Sequence, residues 1–190
     1  LIGTFHPPRV VLADLDFLST LPAREANAGW AEVWKSGVVG DGGLLDLVER
    51  GRPGGLQRLD ALARALAVKA RLVERDERDV GARRGLNYGH TVGHALERMG
   101  LNLLHGEAVA IGMECAARLA RRMNRVDDEF VSRQTALLKA LHLPTEVPDF
   151  DSDDLVRIMR RDKKVDEGKL RFVLPTRLGH VELVKDVRVS

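Results

Sequence analysis

The sequence predicts a mainly helical fold, a bundle-like domain with a few short strands at the chain ends. Three observations carry this. Apolar residues recur at helical spacing over several long stretches, most densely over 107–123. Runs rich in β-branched residues are short and lie near the two termini. Clusters of glycine break the chain between the helical stretches rather than within them, with one exception at 85–93.

In chain order, Arg9-Val10-Val11-Leu12-Ala13-Asp14 follows Pro7-Pro8 and reads as a strand that needs a pairing partner. Residues 14–22 read as a loop with one short helical turn. A helix is expected over 24–39, with Trp30, Val33, Trp34 and Val38 as its apolar stripe. Gly42-Gly43, Gly51-Arg52-Pro53 and Gly54-Gly55 bracket a short helix at 44–49. Neither glycine cluster follows a strand or ends in Gly-Lys-Ser/Thr, so neither makes a phosphate cradle. A long helix over 56–76 follows, carrying Lys69 between Val68 and Ala70. The next helix ends near Met99-Gly100, with glycine as the natural cap. The apolar run from 107 to about 124 reads as the central buried helix of the bundle, with His105 just before it. Helices over 128–141 and 151–161 come next. Leu170 to Pro175 and His180 to Val187 read as two strands around Thr176-Arg177-Leu178-Gly179. His142 and His180 read as structural residues.

Composition narrows the function classes. Charged residues make up 31% of the 190, yet the net charge is only +2, which gives no basic face for nucleic acid. The single cysteine, Cys115, excludes an internal disulfide and fits a cytoplasmic protein. No apolar run approaches the roughly 18 residues needed to span a bilayer. The chain opens on Leu1-Ile2-Gly3 without an initiator Met, so it is expected to be part of something longer.

The stretch Leu86-Asn87-Tyr88-Gly89-His90-Thr91-Val92-Gly93-His94-Ala95-Leu96-Glu97 is the most informative. On a continuous helix of about 100° per residue, Arg83, Asn87, His90 and His94 share a sector roughly 60° wide. Gly85, Gly89 and Gly93 form a second stripe. Each glycine inside a helix costs about 1 kcal/mol relative to alanine, so three imply close approach by another backbone or a ligand. Two histidines four apart can share a metal, as on His-Glu-x-x-His helices, but Thr91 stands where the general base would be. The alternative is two core histidines bonded to backbone. Glu32 and Lys35, three apart, read as an ordinary surface ion pair if nothing else calls for them. Lys69 either snorkels to solvent or points at an anion.

Four segments together carry a family resemblance: Ala31-Glu32-Val33-Trp34-Lys35, the 86–95 stretch, His105-Gly106-Glu107-Ala108-Val109-Ala110 and Asp162-Lys163-Lys164. With Asp14-x-Asp16-Phe17-Leu18-x-Thr20-Leu21-Pro22, they occur in the order found in the 3-dehydroquinate synthase family, which the chain resembles along essentially its whole length. The resemblance is to that family's second, helical half. Its first half, a nucleotide-binding α/β domain, has no counterpart here. On that reading, residues 1–22 are a strand and linker from the domain junction, and 23–190 are the metal- and substrate-binding domain.

The resemblance implies roles position by position. Glu32, His90 and His105 match zinc ligands, a site that also takes another divalent metal such as cobalt. Lys35 matches a contact to the substrate ring hydroxyls, and Lys69 and Arg83 match positions that hold the substrate carboxylate. Asn87, His94 and a lysine of the Lys163-Lys164 pair match positions around the phosphate. Phe17, Leu18, Ser19 and Thr20 match a stretch touching the adenine end of NAD. The implied reaction converts 3-deoxy-D-arabino-heptulosonate 7-phosphate to 3-dehydroquinate and phosphate, in the shikimate pathway, with the enzyme a cytoplasmic homodimer. Other expectations are a related sugar phosphate cyclase, which would leave Lys69 and Arg83 unpaired in a closed site, or a binding module without a catalytic half. The chain alone is expected to hold zinc, bind NAD weakly or not at all, and show no turnover.

Overall fold

Seven α-helices and one hairpin account for the regular structure of this computed structural model, which describes residues 6, 8–49, 52–146, 152–162 and 170–187. The apolar stripe expected over 24–39 folds as α1 (Ala23–Gly40), and it buries Trp30, Val33, Trp34 and Val38. After the glycine pair come α2 (Leu44–Val48) and α3 (Gly55–Arg75). The helices α4 (His90–Arg98) and α5 (His105–Arg122) form the centre, followed by α6 (Asp128–Ala140) and α7 (Ser152–Asp162). Asp127 caps α6 by accepting the Phe130 amide at 2.8 Å. Strands β1 (Leu170–Arg177) and β2 (His180–Val187) pair antiparallel, Phe172 opposite Val184, through a turn at Leu178-Gly179. The hairpin packs on α5. Among the described residues, no helix is long and apolar enough to cross a membrane.

The core forms around α5, whose residues from Ala108 to Met113 are all buried, and glycine sets how close its neighbours come. A Cβ on Gly106 would stand 1.9 Å from the Ala28 carbonyl oxygen of α1. A Cβ on Gly112 would stand 1.9 Å from the Gly89 carbonyl oxygen, and one on Gly93 would stand 3.2 Å from that of Ala108. The backbones of α1 and α4 therefore lie directly on α5, one on each side, which is the close approach the glycine stripe implied. A buried polar network ties this centre together. Tyr88 Oη donates to Gln134 Oε1 at 2.7 Å, and Gln134 Nε2 donates to the Met113 carbonyl at 3.0 Å.

Two expectations fail. Residues 83–99 are not one helix: a 3₁₀ segment, Ala82–Asn87, ends at Tyr88, and α4 begins only after Gly89. Gly89 lies at φ +78°, which helical backbone does not allow, and burial of the Tyr88 ring between Gln134 and α5 fixes the break. The strand expected over 9–14 is absent, and Val10, Val11 and Leu12 are 70%, 69% and 90% exposed. A strand needs a partner ladder, and among the described residues β1 and β2 pair only with each other.

Candidate metal and substrate site

Three elements converge on one carboxylate. Glu32 and Lys35 project from the same face of α1, His90 opens α4 and His105 opens α5. Imidazole Nε2 of His90 lies 3.8 Å from Glu32 Oε1, and that of His105 lies 3.6 Å from it. The three donor atoms lie within 4.8 Å of one another. Each ring is turned by its other nitrogen. His90 Nδ1 donates to the Tyr88 carbonyl at 3.1 Å, and His105 Nδ1 donates to Glu97 Oε1 at 3.0 Å. Both Nε2 lone pairs thus face Glu32.

This arrangement fits a cation. Glu32 Oε1 is buried and makes no hydrogen bond, although two lone-pair donors face it. A desolvated oxygen so placed is unfavourable unless a positive centre joins the three groups. Burial and the nearby Lys35 ammonium push the His90 imidazole down to about 4, so His90 carries no proton on Nε2 near neutral pH. Two imidazoles and one carboxylate, each oriented by a second partner, are the donor set of a catalytic zinc with an open position. Tetrahedral ligands on zinc stand about 3.4 Å apart, close to the separations here. The other oxygen, Glu32 Oε2, holds Lys35 Nζ at 2.5 Å. Burial works to raise the Glu32 carboxyl, but Lys35 and the two histidines hold it below its ordinary value. Lys35 is only 5% exposed, and burial lowers its ammonium against the pull of Glu32.

A cavity of about 690 Å³ opens from these residues and is also lined by Lys69, Arg83 and Asn87. Its apolar side is Leu18, Leu62 and Leu66. Arg83 sits at the start of the Ala82–Asn87 3₁₀ segment, where the preceding loop is tied down by one carboxylate. Asp76, the C-cap of α3, accepts the amides of Val80, Gly81 and Arg83 at 3.0, 2.7 and 3.1 Å, and these bonds hold its carboxyl below its ordinary range. The Arg83 guanidinium donates to the Glu77 carbonyl at 2.8 Å.

Of the expected site residues, the structure gathers Glu32, Lys35, Lys69, Arg83, Asn87, His90 and His105 around one cavity. The converging donors are not the histidines four apart: His94 packs edge-on to His90 at 5.1 Å between centroids, outside the donor group. Leu18 lines the cavity wall, whereas Phe17 is 75% exposed on the Leu15–Thr20 3₁₀ turn that also holds Ser19 and Thr20. Lys163 and Lys164 lie outside the described residues. Sequence reasoning missed Glu97 and Asp76. Glu97 stands seven after His90, two helical turns along the same face, and that spacing was the available signal. A second cavity, of about 710 Å³, holds Arg121, Arg125 and Arg133, but each is paired with a carboxylate.

Residues 29–165 match the family described as 3-dehydroquinate synthase C-terminal. The chain belongs to that family. The 3-dehydroquinate synthase of Prochlorococcus marinus (strain MIT 9313) is 45% identical over 201 residues, covering 98% of this chain and 53% of the relative. That of Shewanella loihica (strain ATCC BAA-1088 / PV-4) is 44% identical, covering 100% of this chain and 55% of the relative. The chain thus spans about half the length of the curated relatives it matches. Among solved structures, 2-epi-5-epi-valiolone synthase from Streptomyces hygroscopicus subsp. jinggangensis 5008, with NAD+ and Zn2+ bound, superposes with a TM-score of 0.88 at 30% identity, over 98% of this chain and 54% of that one. A 2-deoxy-scyllo-inosose synthase complexed with carbaglucose-6-phosphate, NAD+ and Co2+ gives 0.82 at 27%, over 98% of this chain and 56% of the other. The helical fold of the family's C-terminal domain is therefore the fold of this chain.

Proposed function

We propose that this chain is the metal- and substrate-binding half of a 3-dehydroquinate synthase, converting 3-deoxy-D-arabino-heptulosonate 7-phosphate to 3-dehydroquinate and phosphate. The observation that carries the reading is the unpartnered Glu32 Oε1 facing two oriented imidazoles at one end of a cavity whose other lining includes Lys69, Arg83 and Asn87. Glu32, His90 and His105 hold a divalent ion, zinc or cobalt. The chemistry that such an ion supplies is acidification of a hydroxyl, and that supplied by NAD is reversible hydride uptake.

The remaining work falls to the side chains. Lys35, buried against Glu32, donates to the ring hydroxyls beside the metal site. Lys69 and Arg83 bind the substrate carboxylate, for which a guanidinium fork is suited. Asn87, His94 and one of Lys163 and Lys164 hold the phosphate end, and fixing both ends presents one ring carbon for oxidation. Leu18, with its neighbours Phe17, Ser19 and Thr20, covers the adenine end of NAD. A nucleotide-binding half, joined through residues 1–22, supplies the rest of that cofactor's site. The reading carries with it a cytoplasmic homodimer.

Zinc content and phosphate release test the proposal together. The chain is expected to bind one zinc, and His90→Ala and His105→Ala to lose it. With the nucleotide-binding half and NAD added, phosphate release from the heptulosonate phosphate is expected, and without that half none. Full zinc in both variants would sink the metal assignment. Turnover of a substrate lacking the carboxylate in preference would favour another sugar phosphate cyclase.

A further inference from the structure

The segment that carries Arg83 into the site carries Arg84 to a different hollow. Arg71 and Arg75 stand four residues apart on α3 and so share one face. With Arg84 and His180 they line a separate cavity of about 410 Å³ between the end of α3, the 82–87 segment and the β1–β2 turn. No carboxylate lines it among the described residues. Gly85, the glycine of the 85–93 stripe that takes no part in the α4–α5 contact, forms part of its wall. A Cβ there would press on Val181 Cγ2 at 3.3 Å and Val39 Cγ1 at 3.5 Å.

Among the described residues, none of the three arginines in this hollow forms an ion pair. Arg71 reaches only the Gly40 carbonyl, at 3.4 Å, and Arg84 Nε donates to the Asp79 carbonyl at 3.2 Å. Two carboxylates that feel these groups are already engaged. Asp41 is held by both Arg64 Nε and Nη2, at 2.8 and 2.6 Å, and Glu182 is held by Arg125 at 2.8 Å. His180 Nδ1 bonds to Thr176 Oγ1 at 2.8 Å, which leaves its Nε2 for another partner. Like charges four apart on a helix are unfavourable, and Arg75 at the end of α3 is explained by the helix dipole, but Arg84 and His180 arrive from other elements.

We propose that this hollow is a binding site for a phosphate group, distinct from the site around Glu32 and independent of the function proposed above. Guanidinium forks from two elements match the oxygens of a phosphate, and the volume accommodates free phosphate or a small phosphate monoester. An occupant would bridge the end of α3 to the segment whose next residue, Arg83, lines the other cavity.

Titration of the chain with inorganic phosphate, and in a parallel arm with phenyl phosphate, tests this. Amide resonances are followed at constant ionic strength so that screening alone moves nothing. Saturable shifts at Gly40, Gly85 and Gly179 are expected with at least one of the two. Binding at these amides should weaken roughly tenfold or more in Arg71→Gln/Arg75→Gln and persist in Arg83→Gln. Both substituted arginines are exposed, so the fold is expected to survive, and the unshifted spectrum checks it. Absence of saturable shifts with either anion, or equal affinity in the double variant, would overturn the proposal.

Discussion

The two ends of the main cavity are built on different principles. At the proposed metal end, Glu32 and His90 sit on helices whose backbones lie directly on α5, and His105 opens α5 itself. Each imidazole is turned by a second bond, to Tyr88 or Glu97. At the proposed anion end, Lys69 is exposed on α3 and Arg83 begins a short 3₁₀ segment tied down by one carboxylate, Asp76. The difference matches the tasks. A metal demands donors fixed to a fraction of an ångström, whereas an anion with several oxygens tolerates cations that adjust as it arrives.

Breaking the close backbone contacts should have the largest effect. Gly112→Ala places a methyl 1.9 Å from the Gly89 carbonyl, where only backbone could yield. A loss of about 3 kcal/mol or more is expected in urea unfolding, together with loss of zinc binding. The control is Gly29→Ala in α1, where a Cβ meets nothing within 4 Å; a gain of about 0.5–1 kcal/mol is expected. Equal losses from both would deny that the α4–α5 contact sets the site.

A smaller effect should come from the group that turns His105. Glu97→Gln leaves the fold intact but weakens the acceptor, and zinc affinity is expected to fall about 10- to 100-fold by competition with a chelating dye. Unchanged affinity would make Glu97 a bystander.

On the anion side, Asp76→Ala should leave zinc affinity as it is and raise KM for the carboxylate substrate about tenfold in the two-domain enzyme. The pH dependence has a definite sign. The Asp76 carboxyl is depressed in the folded chain by the three amides it accepts, so its contribution is present above the ordinary carboxylate range and lost as pH falls through the depressed value. Amides of Val80, Gly81 and Arg83 should therefore lose exchange protection, relative to α5 amides, on acidification into that range. Retained protection there would mean the loop has another anchor.

The smallest change should come from exposed pairs. Arg121→Ala removes an ion pair with Asp128, which is 79% exposed, and should leave the urea midpoint and zinc affinity essentially unchanged.

Much of this was written in local chemistry. The apolar stripe of α1, the helix after Asp127, the glycine after α4 and the hairpin strands all appear where periodicity and turn residues put them, because each depends on neighbours within a few residues. The glycine stripe also forecast a close backbone contact, though not its partner, Gly112 on α5. Residue spacing alone left His90 and His94 open as a metal pair or as two core histidines, and the family resemblance named Glu32 and His105 as ligands. Their convergence depends on the middle of α1 meeting the starts of α4 and α5, and sequence separation carries no information about that. The break at Gly89 has the same origin. A helix through 83–99 satisfies local propensity, but burying Tyr88 against Gln134, 46 residues away, outweighs the lost helical turn. The sequence by itself marked most of the helical segments and the candidate side chains. The tertiary structure decided which of them share a cavity, because packing α1 and α4 onto the glycines of α5 is a long-range contact energy that no local pattern encodes.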